Sequence, residues 1–380
     1  MICYIKSIIP TSFKVYLKRR LRFYRVKKNI FNGVNRRTAL ISYLYEPFIY
    51  SEETRHSSWI EVRQIALALN DLGFNVDVVD CRSDVMLNDK YDVMIGFGYF
   101  FRNNYKMARN NILYLNGGHP DFLERAEFKR IVEFNNRSQP HAKQKRKHEF
   151  VLSSDLGLTD NIILLGNEYT RKTYSSSLNI YTINAPAIIS PHFSEIKKSK
   201  NCQRNYLWFG SSGAIHKGLD IVIDFFMVNK NLNLFIAGLS KDEEYLFNLD
   251  RDNIHNIGFI NVNSPEFNDL ITNVGYMIHP SCSEGMSTSV LTCMSHGVIP
   301  IITRECGVSL PEGLGYFLDS PSLKSLTKVI DEIKTESFES YLSRSEQLFE
   351  YSRLNFSQSN FNRTMTTLLE NILDERNEQD

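Results

Sequence analysis

The stretch from Pro280 to Pro300, PSCSEGMSTSVLTCMSHGVIP, carries a carboxylate in a loop of the kind that binds ligands. Glu284 stands in a Glu-Gly turn before a segment that predicts a helix, whose first amides carry partial positive charge. Because a carboxylate beside these amides would repel an anion, Glu284 is suited to accept hydrogen bonds from neutral hydroxyls, as on a sugar. The alternative is that Glu284 caps its own helix. The amides in question belong to Gly285, Met286, Ser287 and Thr288.

A second loop, WFGSSGAIHKGLD (208–220), joins a predicted strand to a helix predicted from Lys217. Its glycines, Gly210 and Gly213, allow a ligand to approach the backbone closely, and Lys217 adds a cation at the start of the helix. This arrangement suits a diphosphate. It lacks the full spacing of either G-x-G-x-x-G or G-x-x-x-x-G-K-[ST], so a tight turn with a solvated lysine is the alternative.

These loops need elements to position them, and strand-like runs alternate with helical patterns from Arg37 onward. ALISYLY, NVDVVD, YDVMIGF, NILYLNG and NIILLG predict strands, while 57–73 and 121–134 predict helices. A second series predicts strands at NYLWFG, LNLFIAG, IHNIGFI, YMIHPS and VIPIIT, with helices from Lys217, from Lys241, around 265–272 and after Glu284. The fold class is therefore α/β, with two doubly wound parallel sheets and a ligand cleft between the carboxyl ends of their strands.

The predicted domain organisation follows from this alternation. A Pro-, Ser- and Lys-containing linker at 191–205 interrupts the rhythm, and the chain after Leu323 is nearly all helical. We predict a basic N-terminal segment (1–36), a first α/β domain (37–190), the linker (191–205), a second α/β domain (206–353) and a C-terminal helix (354–380).

Charge is distributed unevenly along the chain, although the net charge is only +1. Residues 1–45 contain eleven Lys or Arg and no Asp or Glu. Residues 11–28 predict a basic amphipathic helix on an anionic membrane surface, with packing on the protein's own acidic body as the alternative. Nucleic acid is not expected, since no stacking aromatics or groove-reading motif accompanies these charges. The scattered cysteines and the missing signal peptide favour the cytoplasm, peripherally at the inner face of the membrane.

The C-terminal half resembles a GT-B fold glycosyltransferase of the retaining family four, the glycosyl transferases of group 1. The residues that carry the resemblance are GSSGAIHKG, HPSCSEGMSTSVLTCMSHGVIPIIT and the intervening IHNIGFI, in the family's order. In the N-terminal half, SSWIEVRQIALALNDLGFNVDVVD and YLNGGHPDF resemble the first helix with its strand and the loop of an active-site histidine. The resemblance covers residues 38–375. It implies that 37–190 is the acceptor-side domain, that 206–353 is the nucleotide-sugar-binding domain, and that the C-terminal helix (354–380) crosses back to the N-terminal domain.

The resemblance implies roles for individual residues of this chain. Lys217 would bind the donor diphosphate, supported by amides of the loop from Gly210 to Gly213. Glu284 would contact hydroxyls of the donor sugar, and His119 would lie under the transferred sugar. Catalysis would rest on positioning and on stabilising the leaving diphosphate, without a metal or other cofactor. The implied donor-binding residues are Gly210, Ser211, Ser212, Gly213, Lys217, Ile260, Glu284, Gly285, Met286, Ser287, Thr288 and Thr292.

Two positions depart from the family pattern. Ser211 stands where the family commonly has an arginine, so one cation fewer faces the diphosphate, and Arg304 is a candidate substitute. Thr292 stands where the family has the carboxylate that binds the donor ribose. Losing that group removes a charge-assisted hydrogen bond worth about 1.5 to 3 kcal/mol.

Other candidate residues favour structural roles. The Asp-x-Asp in LDRD (249–252) is expected to be a solvated helix end. HAKQKRKHE (141–149) is expected to be a solvated basic loop, with contact to an anionic acceptor as the alternative. His216 and His279 are predicted to be structural, while His296 is predicted to be a cation in the last turn of a helix. His56 flanks a helix, where a surface histidine is expected.

We therefore predict an enzyme, a hexosyltransferase-type glycosyltransferase. It would move a sugar from a nucleotide sugar to a hydroxyl of a saccharide or lipid-linked saccharide, in surface polysaccharide or lipid-linked glycan synthesis. A nucleotide-sugar epimerase of the same fold and a non-catalytic GT-B-like subunit remain the alternatives.

Overall fold

The computed structural model describes residues 26–50, 57–146, 150–189 and 197–377. These residues form two compact units. The first draws on 26–50, 57–115, 150–163 and 362–377, and the second on 116–146, 164–189 and 197–361. The domain boundaries expected from the sequence stay a prediction.

The first sheet contains six strands in the order β2-β1-β3-β4-β5-β6. The pairs β1–β2, β1–β3 and β3–β4 run parallel. Its first five strands coincide with the predicted ones, because each has a continuous apolar run that is buried. The sixth strand is short and half-buried, and the sequence analysis missed it. The strands are β1 (Arg37–Tyr43), β2 (Phe74–Asp80), β3 (Tyr91–Gly96), β4 (Ala108–Leu115), β5 (Asn161–Leu165) and β6 (Ile180–Ile183).

The second sheet has the order β12-β11-β10-β7-β8-β9, and all five pairs of neighbouring strands are parallel. Its centre is apolar, with Trp208 of β7 and Tyr276 of β10 fully buried. Two six-stranded sheets with interleaved helices confirm the predicted α/β fold class. The strands are β7 (Asn205–Phe209), β8 (Asn233–Ala237), β9 (Ile254–Gly258), β10 (Tyr276–His279), β11 (Ile299–Ile302) and β12 (Tyr316–Phe317).

Ten helices lie in the part of the chain that the structure describes. The helices predicted at 57–73 and 121–134 are present within two residues of their expected bounds. They are α1 (Ser57–Asp71), α2 (Gly98–Asn104), α3 (Pro120–Asn135), α4 (Glu168–Arg171), α5 (Leu219–Val228), α6 (Pro265–Asn273), α7 (Thr288–Met294), α8 (Leu323–Ile333), α9 (Phe338–Asn355) and α10 (Gln358–Asn377).

Two helix predictions near the ligand loops were wrong in detail. The helix expected from Lys217 begins only at Leu219, because Gly218 adopts a left-handed conformation with φ of 74°. The helix expected from Lys241 is a single 3₁₀ turn, Glu244–Leu246. Since LDRD follows that turn, it does not lie at a helix end as predicted, although Asp250 and Asp252 are exposed as expected.

Helix α3 belongs to the second unit and packs on its loops. Arg130 of α3 forms a buried ion pair with Asp220 of α5, and both side chains are at most 5% exposed. The hydroxyl of Ser283 also donates to the α3 carbonyl of Leu123, at 3.1 Å. These contacts place α3 beside the loop that carries Glu284.

Several predictions fall outside the described residues. These are the amphipathic helix at 11–28, except for its last three residues, His56, residues 147–149 of the basic loop and most of the first half of the linker. Over the described ranges, no helix combines the length and apolarity needed to cross a membrane.

Candidate donor-binding site

Glu284 lies in the loop after β10 with its side chain 16% exposed. It does not cap the following helix, because α7 begins at Thr288 and Ser287 occupies the capping position. Its carboxylate instead faces cationic and imidazole groups. Oε2 is 3.3 Å from Nη2 of Arg146, and Oε1 is 3.9 Å from Nε2 of His216 and 3.8 Å from Nε2 of His279. The capping alternative was therefore wrong, and the carboxylate is available for another partner.

The surrounding groups keep the Glu284 carboxylate ionised. Burial by itself raises the pKa of this carboxyl, but the positive charge of Lys217 outweighs it, together with the contributions of His279, Arg146 and His216. The net result is a pKa well below the usual range of a glutamic acid. Glu284 therefore presents a full negative charge at neutral pH.

Two buried histidines border this carboxylate. His216 is 3.1 Å from Glu127 through its Nδ1, and burial lowers its pKa despite that contact. The neutral ring thus donates its Nδ1–H to Glu127 and turns the lone pair of Nε2 towards Arg146, 3.4 Å away. His279 is fully buried and burial also lowers its pKa. Neither of its ring nitrogens has a hydrogen-bond partner among the described residues, nor has Oε1 of Glu284.

The loop of Glu284 touches the loop of His119 through main-chain atoms. A Cβ added to Gly285 would overlap Cα of Gly117 and the carbonyl group of Asn116. The contact is fixed from the other side by Tyr174, whose hydroxyl donates to the carbonyl of Gly117 at 2.6 Å. The two loops that the sequence analysis singled out separately therefore lie against each other within the second unit.

His119 itself stands at the N-terminus of α3, where its Nδ1 accepts a hydrogen bond from the amide of Asp121 at 3.2 Å. Because Nδ1 accepts this bond, Nε2 is the ring nitrogen that carries a proton. Its amide is bound to the hydroxyl of Thr173 at 2.9 Å, and its side chain remains 21% exposed. These contacts hold the ring in one orientation, which a residue under a bound sugar requires.

Lys217 folds back over its own loop, with Nζ 2.9 Å from the carbonyl of Ser212 and 3.3 Å from the hydroxyl of Ser211. Both serines are exposed, so this part of the loop faces solvent. The other end of the loop is anchored by Glu243. Its buried carboxylate accepts the amides of Gly213 and Ala214 at 2.7 and 3.2 Å. These two amides are therefore already paired, and Lys217 is the principal charge that the loop offers an anion.

The residues after Glu284 are less open than the resemblance implies. The amide of Ser287 donates to the carbonyl of Cys306, and the sulfur of Met286 accepts the amide of Ala185. The hydroxyl of Thr292 donates to the carbonyl of Thr288 at 2.9 Å inside α7. Ile260 is buried just beyond β9.

The prediction that His296 is a cation at a helix end was wrong. Helix α7 ends before it, at Met294, and the ring is buried with its Nδ1 2.7 Å from the carbonyl of Thr292. Burial lowers the pKa of His296 from 6.5 to about 4, so the ring is neutral at physiological pH.

The expectation that the basic loop is merely solvated was wrong at Arg146. Its guanidinium donates to the carbonyl of Ser283 as well as facing Glu284. The sequence marks only a run of basic residues, and nothing in that run distinguishes this arginine. Arg304, the suggested substitute for the family's arginine, stacks on Phe317 with its guanidinium carbon 4.7 Å from the ring centroid. Across the described ranges, no group of three or more His, Cys, Asp or Glu is arranged to hold a metal ion.

Comparison with known proteins supports this picture. Residues 193–353 match the family described as glycosyl transferases group 1. No curated protein sequence matches the chain. Sucrose-phosphate synthase from Thermosynechococcus elongatus aligns with a TM-score of 0.60 at 13% identity, over 89% of this chain and 99% of that chain.

Two further solved structures share the fold. HepE from Anabaena, in complex with UDP and glucose, aligns with a TM-score of 0.54 at 12% identity, over 88% of this chain and 99% of that chain. WaaG, a glycosyltransferase involved in lipopolysaccharide biosynthesis, gives 0.51 at 15% identity, over 87% of this chain and 99% of that chain.

The chain thus has the GT-B fold, as predicted. The match over residues 193–353 confirms the resemblance to group 1, and the protein is a glycosyltransferase.

Proposed function

We propose that the protein transfers a sugar from a nucleotide-sugar donor to a hydroxyl of a saccharide or lipid-linked saccharide, with retention of the anomeric configuration. The observation that carries this proposal is the ionised carboxylate of Glu284, whose Oε1 has no hydrogen-bond partner among the described residues. A buried, charged acceptor with one oxygen that lacks a hydrogen-bond partner among the described residues is suited to a sugar hydroxyl, which can donate to it.

Lys217 would bind the donor diphosphate. Its flexible ammonium at the exposed GSSG loop can move onto a phosphate, and it neutralises charge that develops on the leaving diphosphate. Since Glu284 would bind the sugar and Lys217 the diphosphate, the bond that joins the sugar to the diphosphate would be held in one place. HepE, which shares the fold, was solved with UDP and glucose, so a uridine nucleotide is the first donor to test.

His119 would lie beside the transferred sugar. Its Nδ1 is occupied by the amide of Asp121, which leaves Nε2–H as the donor for a sugar hydroxyl or for the ring oxygen. No side chain is assigned as a covalent nucleophile. The leaving diphosphate would take the proton of the acceptor hydroxyl on the face from which it departs, and no metal is required for that transfer.

The experiment that tests this proposal is a donor screen by NMR. Purified protein is incubated with UDP-, GDP- and ADP-sugars, and with membrane lipid extract or short saccharides as acceptors. We expect one donor to be consumed, with release of its nucleoside diphosphate and a product of unchanged anomeric configuration. An epimer formed without acceptor would identify an epimerase. Failure to bind or consume any donor would indicate a non-catalytic subunit.

We also propose that the protein acts at the cytoplasmic face of a membrane, held there peripherally by the basic segment 11–28. The support is the concentration of basic residues in the first 45 residues. The test is co-sedimentation with anionic and neutral liposomes, comparing the whole chain with a variant that lacks residues 1–24. This deletion spares the pairing of Lys27 with Val78. Equal binding of the two proteins to anionic liposomes would refute the proposal.

A further inference from the structure

Arg146 occupies a central position in the Glu284 group. Its Nη2 donates to the carbonyl of Ser283 and lies 3.3 Å from Oε2 of Glu284 and 3.4 Å from Nε2 of His216. One guanidinium nitrogen thus contacts the main chain before Glu284, the carboxylate of Glu284 and the ring beside it. Such a contact fixes the carboxylate in direction as well as in charge.

Glu127 of α3 holds Arg146 in this place. Its carboxylate is 1% exposed and accepts the amide of Lys145 at 3.0 Å and the amide of Arg146 at 3.0 Å. The same carboxylate accepts Nδ1–H of His216, which fixes the tautomer whose lone pair faces Arg146. Burial by itself raises the pKa of Glu127, but its hydrogen bonds with His216 and with the amides of Lys145 and Arg146 outweigh burial and lower that pKa. One buried carboxylate therefore orients both the backbone of Arg146 and a ring that contacts its guanidinium.

The two oxygens of Glu284 are in different situations as a result. Oε2 faces Arg146, whereas Oε1 is buried without a hydrogen-bond partner among the described residues. With the guanidinium in place, Oε1 faces the buried rings of His216 and His279, 3.9 and 3.8 Å away. Without it, the carboxylate could rotate about its Cγ–Cδ bond, and neither oxygen would keep that direction. The arginine thus leaves one oxygen in a defined direction for a ligand.

We propose that Arg146, held by Glu127 and His216, is a positioning residue that orients Glu284 so that its Oε1 accepts a hydroxyl of the donor sugar. This inference rests on the proposed function. It assigns Arg146 to recognition of the sugar, acting through Glu284, and not to the diphosphate, which Lys217 binds. It also predicts that Glu127, more distant from the ligand, acts in the same way.

The test compares a nucleotide sugar with its free nucleoside diphosphate by isothermal titration calorimetry. UDP-glucose and UDP are measured first, then GDP-mannose with GDP and ADP-glucose with ADP. For Arg146→Met we expect affinity for the nucleotide sugar to fall about tenfold, which is the size of a typical coupling between contacting groups. Affinity for the free nucleoside diphosphate should stay unchanged. Arg146→Lys should recover part of the loss, and Glu127→Gln should show the same selective loss. The matched control is Arg125→Met, an exposed arginine on the same helix as Glu127.

The double variant Arg146→Met with Glu284→Gln supplies an independent readout. If Arg146 acts through Glu284, the double variant binds the nucleotide sugar no more weakly than Glu284→Gln alone. Losses that multiply would overturn the inference. So would an equal loss of nucleotide-sugar and free-diphosphate affinity in Arg146→Met, which would make the arginine a diphosphate ligand or a structural residue. If Arg146→Met does not fold, Arg146→Lys and Glu127→Gln decide by the same comparison.

The inference and the proposed function can fail separately. If the wild-type protein binds a nucleotide sugar but the Arg146 variants bind it equally well, only the inference fails. If the wild-type protein binds none of the tested pairs, the proposed function fails and the inference with it.

Discussion

The contact between Gly285 and the loop of His119 leads to a sharp prediction. A methyl group in Gly285→Ala would lie within 3.0 Å of three main-chain atoms of Asn116 and Gly117. Main-chain atoms cannot rotate aside as a side chain can, so one of the two loops must shift. Overpacking of this kind costs about 1 to 3 kcal/mol, and three close backbone atoms put the expected cost near the upper end, at about 3 kcal/mol. For a unit of this size, that lowers the Tm by about 6 to 12 °C.

Thermal unfolding and donor binding should be measured together for this variant. Because the shift moves Glu284 or His119, we expect affinity for a nucleotide sugar to fall with stability. Gly157→Ala is the control, since its Cβ would meet no atom within 4 Å and its φ is not left-handed. If the Tm and the donor affinity of Gly285→Ala equal those of the wild type, the two loops are not in contact and the described arrangement of the site is wrong.

Three further substitutions test other parts of the account. His296→Gln should flatten the pH dependence of stability. The unfolded histidine binds a proton below pH 6.5 and the folded one only below about 4, so the unfolding free energy of the wild type falls by roughly 3 kcal/mol as the pH is lowered from 6.5 to 4. If urea titrations at different pH values gave the variant the same change of unfolding free energy with pH as the wild type, the burial assigned to His296 would be contradicted. Glu243→Gln should weaken donor binding and cost about 1 to 2 kcal/mol in stability, because an amide oxygen cannot hold both loop N–H groups with the strength of a carboxylate; the exposed Glu332→Gln is its control, and equal behaviour of the two would count against the anchor. Thr292→Glu should strengthen nucleotide binding about tenfold or more in calorimetry if the ribose lies where the family places it, at a cost in stability without ligand because position 292 is buried; unchanged or weaker binding would mean a different donor pose.

Much of the fold could be predicted because the strands are buried on both faces and read as continuous apolar runs. The strands that were missed, β6 and β12, are short and only half-buried, so their sequences carry little apolar signal. The false helix from Lys241 shows a different limit. Its local pattern is helical, but Glu243 is drawn to the amides of Gly213 and Ala214, thirty and twenty-nine residues away in sequence. A tertiary contact of this kind overrides local propensity.

The site was predictable only where its residues stand in a recognisable loop. Glu284, Lys217 and His119 follow strands in a familiar order, and the structure brings their loops together in the second unit. Arg146 and Glu127 could not be chosen from the sequence, because the first is one of several basic residues in a run and the second one of several acids on a helix. Their proposed roles arise from the packing of α3 against the loop of Glu284. This packing brings Arg146 to Glu284, 138 positions away in sequence, and Glu127 to His216, 89 positions away.

The central claim is that Glu284 recognises the donor sugar while Lys217 recognises the diphosphate. Calorimetric titration of Glu284→Gln and Lys217→Met with UDP-glucose and UDP, or with whichever donor pair the wild type binds, tests it most directly. The account predicts that Glu284→Gln loses affinity for the nucleotide sugar but keeps its affinity for the free diphosphate, whereas Lys217→Met loses both. Equal affinity of Glu284→Gln and the wild type for the nucleotide sugar would contradict it.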